Sequence, residues 1–308
     1  MSALLMARAI TAALIVSLAA CRGFIDKQAA DSTYRILEKS RIAARELSDL
    51  ELARAAIPGG IVQLEAFALA YPDHRGFRLL HADALCQYAV AFVFDDWEDA
   101  HLRGRSEEAA RLNARVRGLA GACVDANLEL LPAAWRAARA TGGNAWSARV
   151  AAATREQVPQ LLWITTADAV TLALDPMKNI GRLAAIIRGL ERSIALAPGF
   201  HDSDAELLLG AFEAGRSQFL GGADGSAWFA RAHGQCGEGA LLVDVMFARG
   251  TLVANRDRAR FKATLEKVLA ADVTRWPERR LSNELARRKA ERYLAAIDRL
   301  IPPSPPRP

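Results

Sequence analysis

The stretch GRLAAIIRGLERSIALAPGFHDSDAELLLGAFEAGRSQFLGGADGSAWFARAHG, Gly181 to Gly234, decides the fold class. Leu183, Ile186, Ile187, Leu190, Ile194 and Ala197 recur at helical spacing, with Arg182, Arg188, Glu191 and Arg192 on the other side. Pro198 and Gly199 stop this helix. Ser203, with Glu206 three residues on, reads as a capping box that opens a second helix carrying Leu208, Ala211 and Phe212. A turn this short makes the two helices antiparallel neighbours, and the small residues Ser193, Gly210 and Ala211 let paired helices approach closely. Small residues inside the helices and a Pro at the helix end are the grammar of a tetratricopeptide-like repeat.

Outward from this hairpin, composition points the same way. Of the 308 residues, 52% are hydrophobic but only 7% aromatic, with Ala and Leu prominent, which favours helices over sheets. No long stretch alternates with period two. The expected fold is all-α, antiparallel helix hairpins in a tetratricopeptide-like right-handed solenoid bundle.

Residues 1–20 read as a leader. Arg8 is the positive n-region, Ala9 to Val16 the apolar h-region, and Leu18-Ala19-Ala20-Cys21 closes it. About a dozen apolar residues fall short of the roughly 20 needed to span a bilayer. The tetrad is that of a bacterial lipobox, so Cys21 is the expected lipidation site and mature N-terminus. Two or more acyl chains anchor firmly, which puts the protein in the periplasm on a lipid tether. Arg22, where inner-membrane retention uses Asp, favours the outer membrane. A single helical domain is expected over 21–301, followed by an extended Pro-rich tail at 302–308. Cys86, Cys123 and Cys236 show no zinc-ligand spacing; burial is the plain reading, and an oxidising compartment permits one disulfide among the three.

Within the domain, helices are expected over Asp26 to Leu47, after a Pro58-Gly59-Gly60 turn, and from Phe77 to Phe94 as a central rod apolar on most sides. That rod runs into Asp95-Asp96-Trp97-Glu98-Asp99 with His101 beyond. Only Asp95 and Asp99 stack at i, i+4, so a solvated helix end is favoured over a metal site. Trp97 serves as a core anchor or an interface anchor. Pro159 should kink or divide the span Ala145 to Leu174. Inside that span, Leu161-Leu162-Trp163-Ile164 is either buried on all sides or the wall of an apolar cavity, and Leu162, Trp163 and Ile164 are the candidate cavity residues. The last helix, Leu281 to Ile301, buries Leu285, Ala286, Ala290, Tyr293, Leu294 and Ile297. Arg279, Arg280, Arg287, Arg288, Lys289 and Arg292 fall on its other side, read as a solvated face.

A net charge of +5, one less when Arg8 leaves with the leader, is too modest for a nucleic-acid binder, and no basic groove with interleaved aromatics appears. There is no G-x-S-x-G, H-E-x-x-H or G-x-x-x-x-G-K-[ST]. The glycines of Gly221-Gly222-Ala223-Asp224-Gly225 and Gly234 to Gly239 follow no strand and read as interhelix turns. His201-Asp202-Ser203-Asp204 reads as a turn with a cap. Neither an enzyme nor a cofactor or metal site is expected.

The order of motifs resembles a known family. Leu161-Leu162-Trp163-Ile164 leads to Arg188-Gly189-Leu190-Glu191-Arg192-Ser193, then Ala197-Pro198-Gly199-Phe200 and Leu220-Gly221-Gly222-Ala223-Asp224. Arg256-Asp257-Arg258 with Phe261, and Leu281-Ser282-Asn283-Glu284-Leu285-Ala286 with Ala290, complete the series. Together they are similar to the TatT family, the lipoprotein T-component of TRAP-type transporters, most clearly from about residue 160 onward. The resemblance implies cryptic tetratricopeptide-like hairpins, a lipid tether and a homotrimer. It also implies a periplasmic TRAP-type substrate-binding protein as partner, and an apolar passage for a hydrophobic small ligand. The alternative from the helical grammar alone is a scaffold lipoprotein of an envelope-assembly complex.

Overall fold

The computed structural model describes residues 26–303, so Cys21, the leader and the last five residues lie outside it. Among the described residues there are helices and turns but no strand, and the all-α expectation holds. The chain opens with α1 (residues 26–45), α2 (Leu50–Ala70) and α3 (Arg75–Tyr88). A π-turn, Ala89–Phe94, joins α3 to α4 (Asp95–Leu102), and α5 (Ser106–Glu129) follows. Next come α6 (Ala133–Thr141), α7 (Gly143–Ala151), α8 (Val158–Leu174) and the single turn α9 (Pro176–Asn179). Then α10 (Leu183–Leu196), α11 (Phe200–Leu220), α12 (Ser226–Cys236) and α13 (Leu241–Phe247) lead to α14 (Arg258–Ala270). The end is α15 (Arg280–Ala295) with the short α16 (Ile297–Leu300).

The most buried helix is α8. Its flanks carry no charged face, and α3, α5, α10 and α11 all pack on it. Its one buried acid, Asp168, is held by both guanidinium nitrogens of Arg139 at 2.7 Å and by Arg182 at 3.2 Å. Pro159 divides the expected span: α7 ends, a 3-10 turn at Arg155–Gln157 intervenes, and Pro159 sits in the first turn of α8, where its missing N–H is no loss. The stripe of α10 is buried as its spacing predicts, with Ile186 and Leu190 against Leu162 and Leu209. Close approach is real, though Gly210 meets α12 rather than α10: a Cβ there would lie 2.9 Å from the Phe229 ring.

Four expectations are corrected. Pro58-Gly59-Gly60 forms no turn and lies inside the continuous α2. Asp49 starts that helix by accepting from the N–H groups of Glu51 and Leu52, and packing of Ala53, Ile57 and Ile61 in one core cluster outweighs the bond Pro58 deletes. The Ser203–Glu206 capping box does not form. Ser203 has a left-handed backbone, φ 64°, and its hydroxyl donates to Gln235 Oε1, while Glu206 Oε1 accepts from the Gly199 N–H seven residues upstream. The solenoid order is not established, because α15 comes back to pack on α2. By length and composition α2 and the rod Arg75–Leu102 are long enough to cross a membrane; half of the rod's apolar window is buried in the fold, whereas α2 leaves Leu52, Val62 and Leu69 on the surface.

The fourth correction concerns the acidic knot, which is no solvated helix end. Asp95 is 1% exposed, and its Oδ1 lies 2.5 Å from Lys289 Nζ and 2.6 Å from Arg292. Glu98 accepts from Arg292 at 2.7 Å and from the Tyr293 hydroxyl at 2.8 Å. Asp96 pairs with Arg288 and with Arg54 of α2. Most of the cationic side of α15 is therefore turned inward: Arg279 too is tied, to Asp202 and the Cys236 carbonyl. Cations flank each of these carboxylates, although Asp95 Oδ2 has no hydrogen-bond partner among the described residues and only Arg288 near it, at 3.6 Å. Trp97 is a partial core anchor, stacked between Phe94 and His101.

Burial alone would raise the Asp95 and Glu98 carboxyls, but Lys289 and Arg292 beside them hold both below the ordinary carboxylate range. Depressed folded values stabilise the fold above the unfolded range near 4, and that stability is lost as pH falls through the folded values. Arg292→Met leaves two buried acids short of a partner and should cost about 3–5 kcal/mol, measured by denaturant unfolding at neutral pH. The variant's acid-unfolding midpoint should also move up toward pH ~4; a midpoint equal to wild type would show that the ion cluster contributes nothing.

Candidate functional site

A cleft of about 210 Å³ opens at the N-terminal end of α8. Pro159, Gln160, Leu162 and Trp163 from its first two turns form one wall. Leu79, Leu80 and Asp83 of α3 stand opposite, Asn127 and Leu130 of α5 close the back, and Tyr34, Glu38 and Arg41 of α1 roof it. Phe200 and His201 complete it from the non-helical first turn of α11.

That turn is strained. His201, Asp202 and Ser203 all have left-handed backbone, with φ of 53°, 55° and 64°, separated only by Phe200 from Gly199 at 71°. A run of non-glycine residues in this region persists only when its surroundings over-determine it. Here they do: Ser203 is tied to Gln235, Asp202 to Arg279, and His201 Nδ1 to Asp204 at 2.6 Å. The result is that the His201 ring is carried edge-on to Trp163, centroids 5.3 Å apart. Burial alone would lower the His201 pKa, but the Asp204 carboxylate, helped by Asp83, pushes it up to about 9.

The floor behind the cleft is fixed covalently. Of the three cysteines left open by the sequence, Cys86 and Cys123 pair across α3 and α5, Cα atoms 5.1 Å apart, and Cys236 is free. Asn127, 1% exposed, donates to the Cys123 carbonyl at 2.9 Å. Trp163 is aimed by its own indole, whose N–H donates to Asp83 Oδ1 at 3.1 Å.

Of the three candidate cavity residues, Leu162 and Trp163 line the cleft. Ile164 does not. One step further round α8, it is wholly buried among Trp135, Trp146 and Leu161 on another flank. The four-residue apolar run thus serves both purposes, core on one side and cleft on the other. Sequence reasoning missed Gln160, Asp83 and the α1 roof. Pro159 was the available signal, since a proline at a helix start marks the residues that follow as the helix mouth.

Two measurements follow from this geometry. A folded His201 value above the ordinary one near 6.5 means that the His201–Asp204 contact stabilises the turn fully below that value, and that this is lost as pH rises through about 9. Asp204→Asn should therefore bring the His201 imidazole titration, followed by NMR, down by more than a unit, and an unmoved titration would refute the pairing. Replacing both Cys86 and Cys123 by Ala should lower unfolding free energy by about 2–4 kcal/mol, read by denaturant titration beside the oxidised protein.

Comparison with known proteins gives one family match, to the TRAP transporter T-component family over residues 46–301. It begins well before residue 160, where the sequence motifs are clearest, and takes in all of α2 to α16. No curated protein matches the chain significantly. With the matched region covering every wall of the cleft except α1, the chain belongs to the TRAP transporter T-component family, a family of transporter accessory components rather than enzymes.

Proposed function

We propose that this protein docks a periplasmic TRAP-type substrate-binding protein and assists the passage of a hydrophobic small ligand through the cleft beside Trp163. The family membership supports a TRAP accessory role, and the observation that carries the finer reading is a partly apolar cleft walled by Leu162, Trp163 and Phe200 and braced by a disulfide. Acylation at Cys21 tethers the protein to the periplasmic side of the outer membrane, with no spanning segment required. The working assembly is a homotrimer, in line with what the family resemblance implies.

A pull-down from periplasmic extract with the Cys21→Ser protein tests the docking, with retained proteins identified by mass spectrometry. Recovery of a TRAP-type substrate-binding subunit is expected. Recovery only of envelope-assembly proteins would overturn the proposal in favour of a scaffold. Wild-type protein should fractionate with outer membranes and the Cys21→Ser form should not.

A further inference from the structure

We infer that the cleft takes a small non-anionic molecule with an apolar body and a hydrogen-bond donor, such as a hydroxyl or amide N–H, which it gives to Gln160 Oε1. The inference rests on the reading of the cleft as the ligand path and adds what that ligand must be.

Gln160 carries it. The residue is only 3% exposed, it lines the cleft, and its Oε1 is buried with no hydrogen-bond partner among the described residues. A buried amide oxygen without a donor costs free energy that a bound donor recovers. Most donors around it are committed elsewhere, and the buried Arg41 Nε, which lines the same cleft, makes no bond to it. The Trp163 indole and the Gln87 amide both donate to Asp83, Tyr34 gives its hydroxyl to Glu38, and Asn127 donates to the Cys123 carbonyl.

Charge balance argues against an anionic head. The acids lining the cleft are Glu38 and Asp83, the bases Arg41 and His201. Arg41 lies 3.7 Å from Asp83, and His201 is paired with Asp204 just outside the lining. An anion entering beside Gln160 would lose hydration and find both bases already facing carboxylates, whereas a neutral group loses little. Apolar contact is available along Leu162, Leu80 and the Trp163 ring. At about 210 Å³ the cleft is smaller than the roughly 300–1,000 Å³ of sites for drug-sized ligands, so the body is a short chain or single ring.

The test is a calorimetric titration of the Cys21→Ser protein in detergent-free buffer with octanol, octanoate and octylammonium, which share a chain and differ only in the head. Octanol should bind saturably and about tenfold or more tighter than octanoate. Gln160→Leu, which keeps the bulk and removes the amide, should weaken octanol about five- to tenfold with helical circular dichroism unchanged. Tighter binding of octanoate would overturn the exclusion of anions while leaving the ligand path standing. Equal octanol affinity in wild type and Gln160→Leu would overturn the role of Gln160. Failure of all three probes would remove the inference and the ligand path together, with docking judged separately by the pull-down.

Discussion

Burial of α8 on all sides is the constraint on which the structure depends. A helix with Ile164, Leu162 and Ala167 in three different core clusters has no face to give to water, so other helices must surround it. They do so in the order the chain supplies them: α3 and α5 before it, α10 and α11 after. The one charge this enclosure traps, Asp168, is answered by Arg139 and Arg182 from either side in sequence. The first two turns of α8, from Pro159 to Trp163, border the cleft even though Val158, Gln160 and Leu162 are themselves buried. The cleft's position follows from where a buried helix has to begin.

The apolar stripes were legible in the sequence. Ile186 and Leu190 on α10, and Phe261, Leu265 and Val268 on α14, are buried as their spacing requires, because each helix repeats one demand every three or four residues. The Gly-rich turn at 221–225 was legible for the converse reason, since helical propensity fails there, whereas the turn expected over 234–239 begins only at Gly237, because α12 runs on to Cys236. Pro58-Gly59-Gly60 misled because local propensity yields to tertiary packing. The Asp95 cluster misled because a carboxylate is judged solvated until its partners are known, and Arg292 lies 197 residues away. Periodicity reports which side of a helix is apolar, not which distant helix will cover the other side.

The same limit applies to the cleft. Leu162 and Trp163 were found as part of an apolar run, yet nothing in that run separates them from Ile164, which faces elsewhere. The polar residues that give the site its chemistry are ordinary in sequence: a Gln after a Pro, a His in a turn. They become specific only where α1, α3, α5, α8 and the strained turn meet. The family relationship places this architecture with a transporter. The cleft supplies what a family name does not, a set of contacts with defined polarity.

The ion cluster has a consequence for how the chain is made. Until α15 exists, α4 carries Asp95 and Glu98 toward a core with nothing to neutralise them, and the N-terminal helices cannot close around bare carboxylates. The cations that permit closure lie within the last twenty-one residues of the sequence, at Arg288, Lys289 and Arg292. Folding is therefore not a process that starts at the N-terminus and follows synthesis. The native pairing waits for the final helix, so the Asp95 cluster can close only once the end of the chain has been made.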